Sequence, residues 1–146
     1  MIERYTLTVS TDFAAAHLLR DYPGQCSRLH GHNWKVELEV TAYQLDEVGM
    51  AIDFKTMKTA LREVTAQLDH RHLNDLAPFR QINPTAENIA AFIYRETGKI
   101  INSERCFVKA VTIWETERAR VRYEQGCPTP SHTDDRQPFT RKADQG

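Results

Sequence analysis

No run of about eighteen apolar residues occurs anywhere in the 146-residue chain, so no stretch suits a helix crossing a membrane. Charge of one sign is missing as well: 19 Lys and Arg oppose 20 Asp and Glu, a net charge of −1. A protein organised around nucleic acid carries a basic excess, so no nucleic-acid partner is expected. Cysteine is scarce, and Cys26, Cys106 and Cys127 are odd in number and too widely spaced for a disulfide framework. The first residues, Met1 to Tyr5, lead straight into alternating sequence without a signal peptide's apolar stretch. Together these absences point to a soluble protein of a reducing compartment, the cytoplasm. The length is that of one domain, able to bury roughly two-thirds of its unfolded surface without a disulfide or structural metal.

What is present has a clear order. Residues 5–17 alternate, with Tyr5, Leu7, Val9, Thr11, Phe13, Ala15 and His17 on one side and Thr6, Thr8, Ser10 and Asp12 on the other. Residues 30–43 repeat the pattern, with His30, His32, Trp34, Val36, Leu38 and Val40 sharing a face. Period two over such lengths predicts two half-buried strands, and Asp21, Pro23 and Gly24 predict a loop between them. The period then becomes helical. Phe54, Met57, Leu61, Val64 and Leu68 form an apolar stripe capped by Asp53. A second helix opens after Asn83-Pro84 with Thr85 as N-cap and Ile89, Phe92 and Ile93 inside, and Gly98 is expected to stop it. Two strand-like runs follow, Cys106 to Thr116 and about 119–124. The order β-β-α-α-β-β predicts an α+β fold, a four-stranded antiparallel sheet with both helices on one face. Such a sheet has bare edges and one uncovered face, which favours assembly. One domain over 1–125 and a disordered tail over 126–146, rich in proline and without a period, complete the layout.

Four of the six histidines fall in tight pairs. In His30-Gly31-His32 both imidazoles leave a strand on the same face. His17 ends the preceding strand in the matching phase and reaches the same point if the two strands pair as a hairpin. Three neutral imidazoles make a catalytic type of zinc site with a fourth position open. Cys26 stands four residues before His30. As a ligand it would close the site; as a bystander beside a dication it would become a base or nucleophile. Asp69-His70 offers a carboxylate that fixes an imidazole's tautomer, though a solvated helix end also explains the pair. Glu115, near the end of a run of β-formers, is either solvent-facing or an acceptor for a ligand. Arg118, Arg120 and Arg122 make a stripe of opposite parity, solvated or facing another subunit.

Phe13-Ala-Ala-Ala-His17, Cys26-x-x-x-His30-Gly31-His32, Gly49-Met50-Ala51-Ile52-Asp53-Phe54, Leu68-Asp69-His70-x-x-Leu73-Asn74, Pro84-Thr85-x-Glu87-Asn88 and Trp114-Glu115-Thr116 occur in one order. That order resembles the 6-pyruvoyl-tetrahydropterin synthase family, most of all its bacterial 6-carboxytetrahydropterin synthase branch of queuosine biosynthesis. The resemblance covers about residues 5–125. It implies the tunnelling fold, with sheets of several subunits joined into a barrel, and a homohexamer of two stacked trimers. It implies zinc on His17, His30 and His32, Cys26 as a base, and Asp69 with His70 as the partner proton relay. Glu115 would anchor the pterin ring and is commonly grouped with the relay; His72 matches no motif position.

The implied reaction is a zinc-dependent lyase step on 7,8-dihydroneopterin triphosphate giving 6-carboxy-5,6,7,8-tetrahydropterin, acetaldehyde and triphosphate. Two other readings stand beside it, the sister activity that retains the side chain as 6-pyruvoyl-tetrahydropterin and a non-catalytic pterin-binding module. The short gap between Cys26 and His30 favours the first. Because Glu115 lies far along the chain from the histidines, the site is expected to be shared between subunits, with Glu115 and the histidines bridged across the boundary.

Overall fold

The computed structural model describes residues 1–126. The expected disordered tail, 126–146, falls outside the described residues apart from Gly126, as does Cys127. Strands β1 (Tyr5–His17) and β2 (His30–Ala42) pair antiparallel along their whole length, from Tyr5 opposite Ala42 to His17 opposite His30. Helix α1 (Phe54–Ala66) follows, then a two-residue strand β3 (Arg71–His72), helix α2 (Ala86–Ile101) and strands β4 (Cys106–Thr116) and β5 (Ala119–Tyr123). The sheet order is β3-β1-β2-β4-β5. The four long strands are antiparallel, as the alternation implied. The fifth, β3, is an addition that runs parallel to β1 beside Ala15 and Ala16; two residues are too short to show a period in sequence.

One face of this sheet is apolar because its parity is. Val9, Phe13, Ala15, Trp34, Val36, Leu38, Val40, Val111 and Ile113 are buried together with Met57, Leu61 and Val64 of α1 and Ile89, Phe92 and Ile93 of α2. The opposite face carries Thr6, Thr8, Ser10 and Asp12, all exposed on β1. Helix α1 packs on β1, and α2 on β4 and β5. Asp53 caps α1, its side chain accepting from the Lys55 N–H at 2.8 Å. Thr85 caps α2 by accepting from Asn88 N–H at 3.2 Å.

Gly98 does not stop α2, which runs on to Ile101. The helix ends at Asn102, whose N–H donates to the Gly98 carbonyl and whose Oδ1 accepts from Val108 N–H at 2.7 Å. That side-chain bond to the incoming strand redirects the chain where glycine was expected to. Phe54 opens the α1 stripe but is half exposed, and Leu68 is buried beyond the helix end. Of the arginine stripe, Arg120 lies over the Trp114 ring at 4.7 Å and Arg122 makes a two-point ion pair with Glu39. Both contacts lie on the uncovered face.

Candidate metal and pterin site

The register of the β1–β2 hairpin brings His17 opposite His30 and Ala15 opposite His32, so all three imidazoles emerge on the helix-covered face at one end of the sheet. Trp34 is the floor. It is fully buried, its ring lies 5.1 Å from those of His17 and His32, and its Nε1 donates to the Ala15 carbonyl at 3.3 Å. Sequence reasoning placed Trp34 in the core but missed this supporting position.

The outer nitrogens decide what the inner ones can do. His17 Nδ1 donates to the Pro84 carbonyl at 2.8 Å and His30 Nδ1 to the Arg28 carbonyl at 2.7 Å. In the neutral rings each Nε2 is then a bare acceptor, yet the two lie only 3.0 Å apart. Two lone pairs at that distance repel unless a proton or cation is shared between them. Burial holds the His17 and His32 imidazoles below their usual pKa of 6.5, which disfavours the proton. His32 Nε2 is buried with no hydrogen-bond partner. Two carbonyl-anchored imidazoles and a third with an unpartnered Nε2 make the donor set of a metal centre, so the residues present fit a zinc ion.

Glu115 joins this group inside the same chain, its Oε1 standing 3.6 Å from Nε2 of both His17 and His32. The ligand atoms of His17, His30, His32 and Glu115 all lie within 4.8 Å of one another. Strand alternation is responsible: Glu115 follows the buried Val111 and Ile113 at period two, so it leaves β4 on the face shared by Val36 and Trp34 of β2. Trp114 pairs with Arg120 and Thr116 with Ala119, a β-bulge that leaves Glu115 without a partner on β5. This corrects the expectation that Glu115 and the histidines meet across a subunit boundary: β4 lies beside β2, and the distance along the chain is closed by the sheet. Glu115 also lines a cavity of about 270 Å3 with Thr85, Glu87 and Arg120.

Cys26 is exposed in the 3-10 turn Gln25–Ser27 and its Sγ is not one of the converging ligand atoms. The turn starts at Gly24, whose φ of 102° lies in the region that favours glycine. Asp69 Oδ2 accepts from His70 Nδ1 at 3.0 Å and Asp69 Oδ1 from Ala14 N–H at 2.9 Å. Those two bonds, the Ala14 amide first, hold the Asp69 carboxyl below its usual pKa. His70 itself takes a left-handed backbone, φ 56°, as the chain turns from α1 into β3. A groove of about 550 Å3 is lined by His32, His70, Arg71 and His72 along the Ala14–Ala16 stretch of β1. His72, which matched no motif position, sits there with Nδ1 3.3 Å from Asp75.

The chain resembles known proteins in both sequence and fold. It is 35% identical over 116 residues to 6-carboxy-5,6,7,8-tetrahydropterin synthase of Synechocystis sp., covering 76% of this chain and 86% of the relative. It is 31% identical over 128 residues to the protein of the same name from Rickettsia typhi, covering 75% and 93%. The solved structure of Caenorhabditis elegans 6-pyruvoyl tetrahydropterin synthase has the same fold, with a TM-score of 0.76 at 24% identity over 86% of this chain and 98% of that one. The family pattern described as 6-pyruvoyl tetrahydropterin synthase matches residues 6–126, which takes in the hairpin, the bulged strand and the loop between the helices. The chain belongs to the 6-pyruvoyl tetrahydropterin synthase family.

Proposed function

We propose that this protein converts 7,8-dihydroneopterin triphosphate to 6-carboxy-5,6,7,8-tetrahydropterin with release of acetaldehyde and triphosphate, an early cytoplasmic step toward queuosine-type 7-deazapurines. The observation that carries the reading is the face-to-face approach of His17 and His30 Nε2 at 3.0 Å, each with its other nitrogen already donating to a carbonyl. His17, His30 and His32 would hold zinc. When bound there, zinc supplies a Lewis acid that acidifies the hydroxyl groups of the substrate side chain. The names of the Synechocystis and Rickettsia relatives support the carboxy product over the pyruvoyl one.

The chain's own residues divide the remaining work. Glu115 accepts N–H donors from the pterin's pyrimidinone edge, for which a carboxylate offers two oxygens. Cys26 takes the carbon-bound proton of the side chain. Asp69 accepts from His70 Nδ1, which leaves His70 Nε2 to exchange the partner proton. The domain that does this is 1–125, and the active unit is a homohexamer whose subunits pair at the edges of β3 and β5.

The test is product identification by mass with purified, zinc-loaded protein and dihydroneopterin triphosphate, alongside Cys26→Ala. The expected result is the carboxy product from the parent. The variant should keep one zinc per chain and lose turnover. A pyruvoyl product overturns the product assignment, and loss of zinc from Cys26→Ala makes the thiol a ligand instead of a base.

A further inference from the structure

We infer that Asn74 and Asn83 are positioning residues that set where the Cys26 thiol stands, an inference that rests on the thiol chemistry proposed above. Asn74 Oδ1 accepts from Leu18 N–H and its Nδ2 donates to the Leu18 carbonyl, both at 3.0 Å. Asn83 does the same to Arg20, accepting at 2.8 Å and donating at 3.0 Å. A carboxamide presents an acceptor and a donor side by side, as a peptide group does, so each asparagine stands in for one pairing of a neighbouring strand. The chain direction agrees: β3 runs beside β1 at Ala15 and Ala16, and Asn74 continues along that edge to Leu18.

Between the two pinned residues, Leu19 uses its N–H on another partner, the Cys26 carbonyl, at 2.8 Å. The turn bearing the thiol is therefore tied to a segment whose own place is set by two side-chain amides. The tie is reinforced from the other direction. The Arg20 guanidinium donates to the carbonyls of Asn74, Phe79 and Ile82 at 3.3, 2.9 and 3.3 Å. Asn88 Nδ2, in the first turn of α2, donates to the Asn83 carbonyl at 2.8 Å. Asn74 is buried, so its amide finds no water in exchange for Leu18. The loop that carries Asp69 and His70 also carries Asn74. One segment thus carries the Asp69–His70 pair and also holds, at one remove, the turn of Cys26.

The experiment uses zinc-loaded Asn74→Ala and Asn83→Ala, with kcat and KM for dihydroneopterin triphosphate, zinc content, and peptide-resolved alkylation of Cys26 by iodoacetamide. The expected result is retained zinc and an altered Cys26 alkylation rate. We expect kcat to fall about ten- to a hundredfold, the scale of a misplaced reacting group, with KM within about threefold of the parent. Parent kcat and parent alkylation rate, with only a lowered stability, would make the asparagines structural and overturn the inference. If Asn74→Ala does not fold, Asn74→Asp carries the test, since it keeps the acceptor for Leu18 N–H and loses the donor. Cys26→Ala with full turnover would overturn the thiol's role alone, and the alkylation rates would still judge the positioning.

Discussion

At the residue scale the site is governed by which nitrogen of each histidine carries the proton. Pro84 and Arg28 supply carbonyls that hold the hydrogen on Nδ1 of His17 and His30 and leave Nε2 bare. Burial lowers the pKa of His17 and His32 from 6.5. In the metal-free protein both are therefore neutral in folded and unfolded chains above pH 6.5, where stability is full. Below that value the unfolded chain takes protons that the folded chain refuses, and stability falls as pH falls. The urea midpoint of the metal-free protein should decline below pH 6.5. With zinc the decline should begin at lower pH, because the metal occupies the lone pairs that protons would take. Identical profiles with and without zinc would contradict a metal on these rings. The second prediction concerns Glu115, whose carboxylate faces both the histidines and a cavity. Glu115→Gln should keep zinc and weaken pterin binding by about 2–4 kcal/mol, since an amide turns a donor toward a ring N–H. Calorimetric titration measures it. Loss of zinc instead would make Glu115 a fourth ligand.

At the scale of the elements, the β1–β2 hairpin phases the histidines and the alternation of β4 beside β2 aims the carboxylate. Alternation puts Glu115 on the face of Val111 and Ile113, and the pairing of β4 with β2 sets that face beside the histidines of the hairpin. The helices brace this arrangement from one side, and their N-termini are capped by side chains. Asp53→Ala removes the acceptor for Lys55 N–H and should destabilise the protein by about 1 kcal/mol, leaving zinc content unchanged. Urea unfolding at fixed protein concentration checks it. Thr85 is a different case. It caps α2 directly after Pro84, whose carbonyl orients His17, so that helix start serves the histidine cluster as well as the helix.

At the scale of the whole molecule, one face of the sheet is covered by helices and the other presents threonines, charges and the Arg120–Trp114 stack to its surroundings. Assembly through the sheet edges is the proposed way of closing it, and sedimentation should give a multiple of the monomer mass. Because Glu115 stands with the histidines of its own chain, inactive His30→Ala and inactive Glu115→Ala subunits should not restore each other when mixed and exchanged. Both lesions strike the same constellation, and every chain in a mixed assembly carries one of them. Recovered activity would mean that Glu115 serves a neighbour's cluster.

The alternating runs determined the two long N-terminal strands, and the parity of His17, His30 and His32 determined that a hairpin would gather them. Both rest on local rules, since period two assigns a face and hairpin pairing assigns a partner. Asp53 and Thr85 were legible as caps for the same reason. The tertiary structure decided the rest. The face of Glu115 follows from period two, but its place beside the histidines depends on β4 lying next to β2, a sheet order that no residue type encodes. The end of α2 at Asn102 depends on an amide reaching Val108 across the turn. The two-residue β3, the carbonyls behind His17 and His30, and the asparagines holding Leu18 and Arg20 are likewise partners brought together by folding. Sequence assigns a residue its chemistry and its face, whereas the atom it finally meets is set by the packing of segments far apart in the chain.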